Sequence, residues 1–359
     1  MNICFFNSHR EWGGGEKWHY EAAEALAGKN YKVTVAADSD GPLFRKVGDD
    51  WASRVPVKVG NLSALNLVKL VKLIRLFRKL QLDAIILNLP SDLKLAGLAA
   101  RLAGVHKIIY RRGSAIPIKN TLLNRLIFNR IVTHIIANSQ ETCKTILQNN
   151  SSLFPSNRIH VIYNSIDMPG DNAKLRGARD AGAPLIIGTA GRLSREKNQR
   201  ALIDLAVYLK SRELDFRVKI AGAGEEQQAL IEYAEERGVS EDVDFLGFVE
   251  DIDKFMISLD IFLLTSMWEG FGYVLIEAMR LGTPVIAFAV SCIPEIVLDG
   301  ESGYLVPFDD VEAMGDKICF LAQNEDKRVT LGRRAIEDVR HRFSKSRSMQ
   351  SLQKLLSEG

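Results

Sequence analysis

Apolar residues recur along the chain in short runs rich in Val, Ile and Phe, and longer stretches with helical spacing separate these runs. This alternation is typical of parallel sheets whose strands are joined by crossover helices. We predict six strands in each half of the chain. They are NICFFN, KVTVAA, DAIILN, HKIIY, HIIAN and IHVIYN in the first half, and PLIIGTA, FRVKIAG, VDFLG, DIFLLTS, TPVIAF and SGYLVP in the second.

With 359 residues the chain is longer than a typical single domain. The strand pattern predicts two doubly wound, Rossmann-like α/β domains over residues 1–165 and 185–343. Residues 166–184 between them are rich in Gly, Pro, Asp and Arg and are predicted to form a linker. A final helix over about 344–359 is a candidate to pack back on the first domain. Ligands of such sheets bind beyond the carboxyl ends of the strands.

The amino terminus has neither the basic start nor the long apolar segment of a secretory signal. No stretch reaches the roughly 18 apolar residues that span a bilayer. We therefore expect a cytoplasmic protein. Its cysteines, Cys4, Cys143, Cys292 and Cys319, are scattered, without a CxxC pair or a histidine at metal-ligand spacing, and are interpreted as free thiols.

The two halves of the chain carry opposite charge. Residues 1–170 contain 23 Lys or Arg and 12 Asp or Glu, a formal charge of +11, whereas the remainder contains 24 and 32, a charge of −8. Between Asp50 and Glu141 there are 15 basic residues and two acidic ones, Asp83 and Asp92. This asymmetry indicates that the first half faces an anionic surface or substrate.

The segment LNLVKLVKLIRLFRKLQ, residues 65–81, is predicted to be a basic amphipathic helix. Its apolar side would carry Leu65, Val68, Leu73, Leu76 and Leu80, with Lys69, Lys72, Arg75 and Lys79 elsewhere. Two interpretations stay open: a crossover helix with a solvated face, or a helix that rests on anionic lipid headgroups. Nucleic acid is disfavoured as a partner, because no basic platform interleaved with aromatic residues is present.

Two strand-to-helix loops have the composition of anion sites. In SHREWGGGEKW the glycines at 13–15 would let the backbone approach a ligand, with a helix starting near Glu16. The alternative is a flexible turn, since the segment is neither GxGxxG nor a Walker sequence. In GTAGRLSREKNQ, Arg192 and Lys197 precede a helix opened by Asn198, which would suit a diphosphate or, alternatively, form a solvated basic turn.

The segment WEGFGYVLIEAM carries Glu269 and Glu277 on a turn and on the helix that follows it. If the helix starts near Gly272, Glu277 lies about 7 Å along its axis. A carboxylate pair of a retaining glycosidase is only about 5 Å apart, so we expect the two glutamates to bind separate hydroxyl groups. The alternative is that Glu277 neutralises a cation within its own domain.

Together, GGGEKW, GRLSREKN, IAGAGEEQQAL, VDFLGFVEDIDKFMISLDIFLLTS, EGFGYVLIEAMRLGTPVIA and SGYLVP closely resemble family 4 of the retaining, nucleotide-sugar-dependent glycosyltransferases with the GT-B fold. The resemblance covers nearly the whole chain and is strongest from Pro184 to Pro307. Its most specific motif is the pair Glu269 and Glu277 in their Gly-Phe-Gly setting. The resemblance implies GT-B architecture, two Rossmann-like domains facing a central cleft, and transfer of a hexose-type sugar.

The resemblance assigns residues to the donor. It implies that Arg192 and Lys197 form a basic pair on the donor diphosphate, and that Glu269 contacts the hydroxyls of the donor sugar. These three are the residues expected to act in catalysis. Gly14 and Gly15 would close on the diphosphate from the facing domain.

The other donor contacts implied by the resemblance lie in the second domain. Glu277 is expected on the ribose hydroxyls, the backbone of Phe248 at the nucleobase, and Val274 in the same pocket. Backbone amides beside Glu269 complete the set; they belong to Gly270, Phe271 and Gly272.

In the family that the chain resembles, the nucleotide leaves and the acceptor attacks on the same face of the sugar, without a firmly established protein nucleophile or an obligatory metal. The resemblance therefore implies that Arg192 and Lys197 stabilise the charge that grows on the leaving diphosphate. It implies a UDP-, GDP- or ADP-sugar as co-substrate and no cofactor. The residues agree, since no DxD-like pair or His/Cys cluster offers a convincing metal site.

The chain departs from the family after the fourth strand. Many relatives place a histidine there, whereas this chain reads HKIIYRRGSAIPIKN. Arg111 and Arg112, together with Ser114, point to an acceptor that carries phosphate or carboxylate, or alternatively to a structural ion pair.

Three hypotheses about function follow. The first is a glycosyltransferase, peripheral on the cytoplasmic face of the inner membrane, whose acceptor is a lipid-linked saccharide or a lipopolysaccharide intermediate. The second is a transferase with a soluble acceptor, and the third is a non-catalytic nucleotide-sugar-binding protein. The sequence leaves the base, the sugar and the acceptor open.

Overall fold

The chain folds into two units. The computed structural model describes residues 1–60, 62–170 and 182–358. The first unit comprises Met1–Ser165 and Ser346–Gly359, and the second comprises Ile166–Lys345. The linker predicted over residues 166–184 falls largely outside the described residues.

The first unit contains a parallel sheet of seven strands within the part of the chain that the structure describes, in the order β3-β2-β1-β4-β5-β6-β7. The strands are β1 Asn2–Asn7, β2 Lys32–Ala37, β3 Ser53–Pro56, β4 Ala84–Leu87, β5 Lys107–Arg112, β6 His134–Ala137 and β7 Ile159–Val161. At the centre, Phe5 pairs with Val35 and Ile86, and all three are fully buried. Helices cover both faces of such a sheet, so its inner strands are apolar throughout.

Strand β3 was not predicted from the sequence. It lies at the edge of the sheet, where Thr34 pairs with Ser53 and Ala37 pairs with Pro56. An edge strand tolerates polar residues, and it also tolerates proline, which donates no backbone hydrogen bond. The segment SRVP therefore lacks the apolar run by which the inner strands were recognised.

The helices of the first unit fall on two faces. They are α1 Gly14–Leu26, α2 Pro42–Lys46, α3 Leu67–Lys79, α4 Pro90–Asp92, α5 Leu98–Ala103, α6 Leu122–Arg130 and α7 Gln140–Leu147, with one π-helical turn at Leu93–Gly97. One core joins the sheet to α3, α5, α6 and α7. Helices α1 and α2 belong to a separate core on the sheet.

Helix α3 presents only part of its predicted apolar side to the core, where Leu73, Leu76 and Leu80 pack. Leu73 and Phe77 are buried, whereas Leu65 and Val68 are 79% and 64% exposed. Leu65 belongs to a preceding 3-10 turn, Ser63–Leu65, and so lies outside the helical register. Val68 is five residues from Leu73, which separates the two by about 140° around the axis.

The second unit contains six parallel strands within its described residues, in the order β10-β9-β8-β11-β12-β13. They are β8 Leu185–Ala190, β9 Phe216–Ala221, β10 Val243–Gly247, β11 Ile261–Leu264, β12 Val285–Phe288 and β13 Tyr304–Val306. Both sheets are doubly wound, which confirms the predicted fold class. The strand order reverses between β8 and β11.

Seven helices are found in the described part of the second unit, and they flank its sheet. They are α8 Arg200–Ser211, α9 Gln227–Glu236, α10 Ile252–Ser258, α11 Tyr273–Met279, α12 Ile293–Ile296, α13 Val311–Gln323 and α14 Glu325–Arg342. Buried Leu202, Leu205 and Leu209 of α8 pack with Ile318 of α13 in the core. The loops between strands and helices therefore project from a rigid, apolar base.

The last helix, α15 Lys345–Ser357, packs on the first unit. Its Leu352 and Leu355 are buried with Ile3 of β1. Lys107 Nζ at the start of β5 donates to the backbone carbonyls of Leu355 and Leu356, at 3.0 and 2.6 Å. A lysine at this place satisfies carbonyls that have no partner within the helix and opposes the negative end of the helix dipole.

Candidate functional site

The point where the strand order of the second unit reverses carries the predicted charged residues. Strand β11 pairs with β8 there, with Ile261 opposite Ile187. Arg192 and Lys197 follow β8, and Glu269 follows β11. Because parallel strands end at one edge of the sheet, these residues lie on neighbouring loops at the place where open α/β sheets bind ligands.

Lys197 and Glu269 form an ion pair. Lys197 Nζ donates to Glu269 Oε1 at 2.6 Å, and Ser266 Oγ donates to the same oxygen at 2.7 Å. Glu269 is only 7% exposed. A nearly buried carboxylate needs such charged and polar donors, since leaving it without them costs free energy.

Further hydrogen bonds fix the loop after β11 on two sides. On the β8 side, Thr265 Oγ1 donates to the carbonyl of Lys197 at 3.3 Å, and the Met267 amide donates to the carbonyl of Glu196 at 2.8 Å. On the β12 side, the Glu269 amide donates to Ser291 Oγ at 3.4 Å. The carboxylate is thus positioned by the backbone of its own loop and by both neighbouring loops.

The loop after β8 differs from the prediction. Asn198 does not open the helix: residues Arg195–Lys197 form a 3-10 turn, and α8 begins at Arg200. Asn198 has φ 50°, a left-handed conformation that asparagine tolerates better than most residues. Gln199 Nε2 donates to the carbonyl of Arg192 at 2.8 Å and folds the loop back, while the side chain of Arg192 lies at the surface.

Glycines bring the loop after β9 against the loop after β8. A Cβ at Gly222 would lie 1.8 Å from the carbonyl oxygen of Gly191, and one at Gly224 would lie 2.1 Å from that of Leu193. The Gly222 amide also donates to the carbonyl of Gly247 at 2.7 Å, which ties in the loop after β10. These glycines occur in IAGAGEE, where the sequence analysis assigned no role to them.

Helix α11 begins as predicted, beside Gly272, whose φ of 79° is left-handed. Glu277 and Val274 lie within this helix and are half-buried, whereas Glu269 precedes it. Phe271 is buried and packs edge-on against Phe343, with ring centroids 5.8 Å apart. The side chain of Phe271 thus serves the core of the second unit.

Phe248 follows the last residue of β10 at the same edge of the sheet. Its side chain is 84% exposed, the largest exposed fraction among the large apolar side chains reported for the described residues. Gly247 before it has φ 65° and turns the chain sharply at the end of the strand. Such a position leaves the backbone and the ring of Phe248 open to a ligand.

In the first unit, helix α1 begins at Gly14, two residues before the predicted start near Glu16. Gly15 lies close to Asn88: a Cβ at this position would lie 2.6 Å from Asn88 Nδ2, so the asparagine side chain would have to shift. Glu16 is buried in the first helical turn, and its Oε1 accepts from Asn7 Nδ2 at 2.9 Å. This carboxylate already compensates the positive end of the helix dipole.

The adjacent arginines of β5 have different surroundings. Arg111 is 1% exposed; its Nη1 donates to Asn88 Oδ1 at 3.1 Å and its Nη2 to Asn164 Oδ1 at 2.7 Å. The structure therefore favours a structural role for Arg111 over a contact with an acceptor. Arg112 and Ser114 are half-buried, and Arg112 donates to the carbonyl of Ile116 in the loop that follows.

A second buried carboxylate, Asp92, lies beneath the start of the glycine-rich loop. It accepts hydrogen bonds from Ser8 Oγ at 2.5 Å and from the Ser8 amide at 3.1 Å. Burial raises the pKa of Asp92 from 3.8 to about 7. Nearby, burial lowers the pKa of His19 to about 3, with Arg111 contributing, so this imidazole is neutral. In the sequence, Asp92 was noted only as one of the two acidic residues between Asp50 and Glu141.

Within residues 1–60, 62–170 and 182–358, no helix has the length and apolar character needed to cross a membrane. Among the same residues, no three His, Cys, Asp or Glu side chains are grouped so that they could hold a metal ion.

The chain has two Rossmann-like sheets, and charged loops lie where the strand order of the second sheet reverses. These features are those of a GT-B-type α/β protein. Residues 12–168 match the model of Glycosyltransferase Family 4, and residues 173–338 match that of Glycosyl transferases group 1. These two matches cover most of the chain. The chain therefore belongs to glycosyltransferase family 4, as its motifs predicted.

Two curated relatives each match about half of this chain. The putative glycosyltransferase EpsF of Bacillus subtilis (strain 168) is 32% identical over 205 residues, which are 54% of this chain and 52% of EpsF. The putative colanic acid biosynthesis glycosyltransferase WcaL of Escherichia coli (strain K12) is 29% identical over 211 residues, 56% of this chain and 52% of WcaL. The chain thus spans about half the length of these curated relatives.

Solved structures share the fold along the whole chain. HepE from Anabaena, solved in complex with UDP and glucose, superposes with a TM-score of 0.84 at 23% identity, covering 99% of each chain. The lipopolysaccharide outer core galactosyltransferase WaaB, in its apo form, gives 0.77 at 16% identity and also covers 99% of each chain. At such identities the likeness establishes the fold.

The ion pair at the β8–β11 edge predicts coupled stability. In Lys197→Met and in Glu269→Gln, we expect the free energy of unfolding to fall by about 1–3 kcal/mol each, since the first change takes the cation away from a nearly buried carboxylate and the second removes the negative charge that strengthens the hydrogen bond from Lys197. The double variant should lose less than the sum of the two. Urea unfolding of the four ligand-free proteins measures the coupling, expected at roughly 0.5–3 kcal/mol. Strictly additive losses would contradict the pairing.

Asp92 predicts a pH effect. Because its pKa is raised in the folded state, the folded protein keeps this proton between pH 3.8 and about 7 while the unfolded chain loses it. Its contribution to stability therefore falls as the pH rises through this window, by on the order of 4 kcal/mol, and is constant above it. Asp92→Asn, which stays neutral, should gain stability relative to the parent as the pH rises. Urea unfolding at several pH values gives the free energy of unfolding of both proteins. A difference between the two that does not change with pH would refute the predicted effect of Asp92.

Proposed function

We propose that this protein is a retaining glycosyltransferase that moves a hexose-type sugar from a nucleotide sugar to a hydroxyl acceptor. The observation that carries the proposal is the Lys197–Glu269 pair, held by Ser266 at the edge where β8 and β11 end. A cation, a carboxylate and nearby backbone amides at that place suit a ligand with both a diphosphate and sugar hydroxyls. Family membership supports the same class of reaction.

The donor contacts are proposed as follows. Lys197, with exposed Arg192, binds the diphosphate, and Glu269 accepts hydrogen bonds from hydroxyls of the transferred sugar. When the diphosphate attracts Lys197, Ser266 still donates to Glu269, so the carboxylate keeps a partner. Glu277 binds the ribose hydroxyls. The base lies against Phe248 and Val274, and the amides beside Glu269 bind oxygen atoms of the donor; these are the amides of Gly270, Phe271 and Gly272.

In the proposed reaction, the bond from the anomeric carbon to the diphosphate breaks, and a bond to the acceptor oxygen forms on the same face of the sugar. The products are the glycoside, the nucleoside diphosphate and the proton released from the acceptor hydroxyl. The cations of Lys197 and Arg192 stabilise the charge that develops on the leaving diphosphate. The proposed steps use no cofactor and no metal.

The choice of the nucleotide to test first is guided by a structural neighbour. HepE was solved with UDP and glucose, so a UDP-sugar is the first donor to test, with GDP- and ADP-sugars as the alternatives. The sugar itself follows from none of the contacts, because Glu269 and its neighbouring amides can bind hydroxyls of several hexoses.

The proposed acceptor is a lipid-linked saccharide or a lipopolysaccharide intermediate at the cytoplasmic face of the inner membrane. Two observations support it: the basic excess of the first half of the chain, and the likeness to WcaL and WaaB, named for colanic acid and lipopolysaccharide outer core. A phosphate on such an acceptor suits Arg112 and Ser114. A soluble acceptor is the alternative, and nucleic acid is not proposed as a partner.

Thermal unfolding with a panel of UDP-, GDP- and ADP-sugars tests donor binding. The correct donor should stabilise the protein by about 2.7 kcal/mol at 100 times its Kd. Glu277→Ala and Lys197→Ala should shrink this gain, because each removes a proposed donor contact. Lys254→Ala, an exposed lysine elsewhere in the second unit, should not.

If no nucleotide sugar raises the midpoint temperature of thermal unfolding, the proposed donor binding is refuted. If the donor binds equally well to both variants, the residue roles are wrong. With the donor identified, NMR of the product distinguishes the remaining hypotheses. Retention predicts that the anomeric configuration of the donor persists in the product, whereas binding without transfer or hydrolysis indicates a non-catalytic protein.

A further inference from the structure

We propose that the first unit docks on an anionic lipid bilayer through two patches of exposed apolar side chains, here called the leucine rim. The first patch consists of Leu62, Leu65, Leu67, Val68 and Val71, with exposed fractions between 43% and 79%. The second consists of Ile116, Leu122, Leu123 and Leu126, with fractions between 52% and 83%. The proposal extends the proposed membrane location, and it rests on the proposed function for the identity of the acceptor.

The first patch results from the way α3 packs. Leu73 and Phe77 are buried against the sheet, so Leu67, Val68 and Val71 face outward. Asn66 caps the helix, with its side chain accepting from the Lys69 amide. These apolar side chains are therefore held outward by a folded and capped helix. Burial of large apolar side chains is favourable, and clusters left exposed mark interaction surfaces.

The second patch was not recognised in the sequence. Helix α6 buries Ile127 and Phe128 and turns Leu122, Leu123 and Leu126 toward solvent. Thr121 caps this helix by accepting from the Asn124 amide at 3.2 Å. Here too the outward leucines follow from the packing of a regular helix.

Both patches lie on one face and near one edge of the first unit. Helices α3 and α6 contribute buried residues to the same core, which covers one face of the sheet. Helix α3 follows β3, and helix α6 follows β5. The carboxyl ends of these two strands lie at the same edge of the parallel sheet. A crossover helix starts near the carboxyl end of the strand before it, and both patches are at helix starts.

The charge around the leucine rim specifies the partner. No acidic residue occurs between Asp92 and Glu141, and exposed Lys119, Arg125 and Arg130 flank the second patch. Exposed basic residues also line α3; they are Lys72, Arg75, Arg78 and Lys79. Each Lys or Arg near an anionic membrane adds electrostatic attraction, and the leucines would enter the boundary between headgroups and acyl chains. Nucleic acid would be met by aromatic rings rather than by leucines.

Docking in this way would place the acceptor region at the membrane. Half-buried Arg112 ends strand β5, and the loop after it runs through half-buried Ser114 to Ile116 of the second patch. Arg112 donates a hydrogen bond to the carbonyl of Ile116, which connects the two features. A glycolipid whose tail stays in the bilayer would thus present its polar head beside Arg112 and Ser114.

Cosedimentation with vesicles tests the leucine rim. The probes are vesicles of phosphatidylcholine alone and of phosphatidylcholine with phosphatidylglycerol, at low and high salt. Two triple variants remove the patches: Leu67→Gln/Val68→Gln/Val71→Gln, and Leu122→Gln/Leu123→Gln/Leu126→Gln. The matched control is Phe320→Gln/Val329→Gln, which changes two apolar side chains of the second unit, each 45% exposed.

We expect the parent and the control to bind the anionic vesicles at low salt and each triple variant to bind at least about tenfold more weakly. All variants should unfold at the parent temperature, since the changed side chains are exposed. The proposal is overturned if the parent does not bind anionic vesicles, or if both triple variants bind as the parent does. It is also overturned if sedimentation equilibrium shows self-association that the triple variants abolish, because the rim would then join copies of this chain.

Donor binding by the same proteins separates this proposal from the proposed function. Vesicle binding without any nucleotide-sugar binding would support the leucine rim and refute the transferase. A nucleotide-sugar response that is equal in all variants, without vesicle binding, would refute the rim and leave the transferase with a soluble acceptor.

Discussion

The ion pair between Lys197 and Glu269 is the interaction on which the candidate site depends. It joins two loops whose residues are 72 positions apart in the chain and lie side by side because β8 and β11 are neighbours in the sheet. A carboxylate so nearly buried requires a cation and further donors, and Ser266 supplies the second one. In the proposed donor complex, the same cation and the same carboxylate bind opposite parts of one molecule. We expect the ligand-free pair to hold both groups close to the positions in which the proposed donor would meet them.

Glycine makes this arrangement possible in the surrounding loops. At Gly222 and Gly224 any side chain would collide with the backbone of the loop that carries Arg192. The close approach lets the loops after β8, β9 and β10 support one another through backbone hydrogen bonds. The glycines at 222 and 224 thus help to fix the loops around the site in place.

Much of the fold could be predicted from the sequence, because buried parallel strands such as the one around Phe5 are continuous apolar runs. Strand β3 lacks such a run because it lies at an edge. The residues that carry charge in the site were found from their strand-to-helix loops, and the resemblance assigned their roles, whereas Ser266 and Ser291 were missed because bonds between distant loops leave no local pattern. The predicted apolar side of α3 was wrong at two positions: Leu65 lies in a 3-10 turn before the helix, and Val68 lies about 140° from the buried Leu73 around the axis. Periodicity alone cannot locate such a turn.

Hydrogen exchange of the backbone amides, measured with and without UDP, GDP and ADP and their sugars, tests the central claim most directly. The account predicts that the nucleotide that binds will slow exchange in residues 191–198 and 265–272, the loops after β8 and β11. It predicts little change at the far ends of the same strands, where no donor contact is proposed. Binding that slows exchange elsewhere and leaves both loops unchanged would contradict the assignment of the donor site.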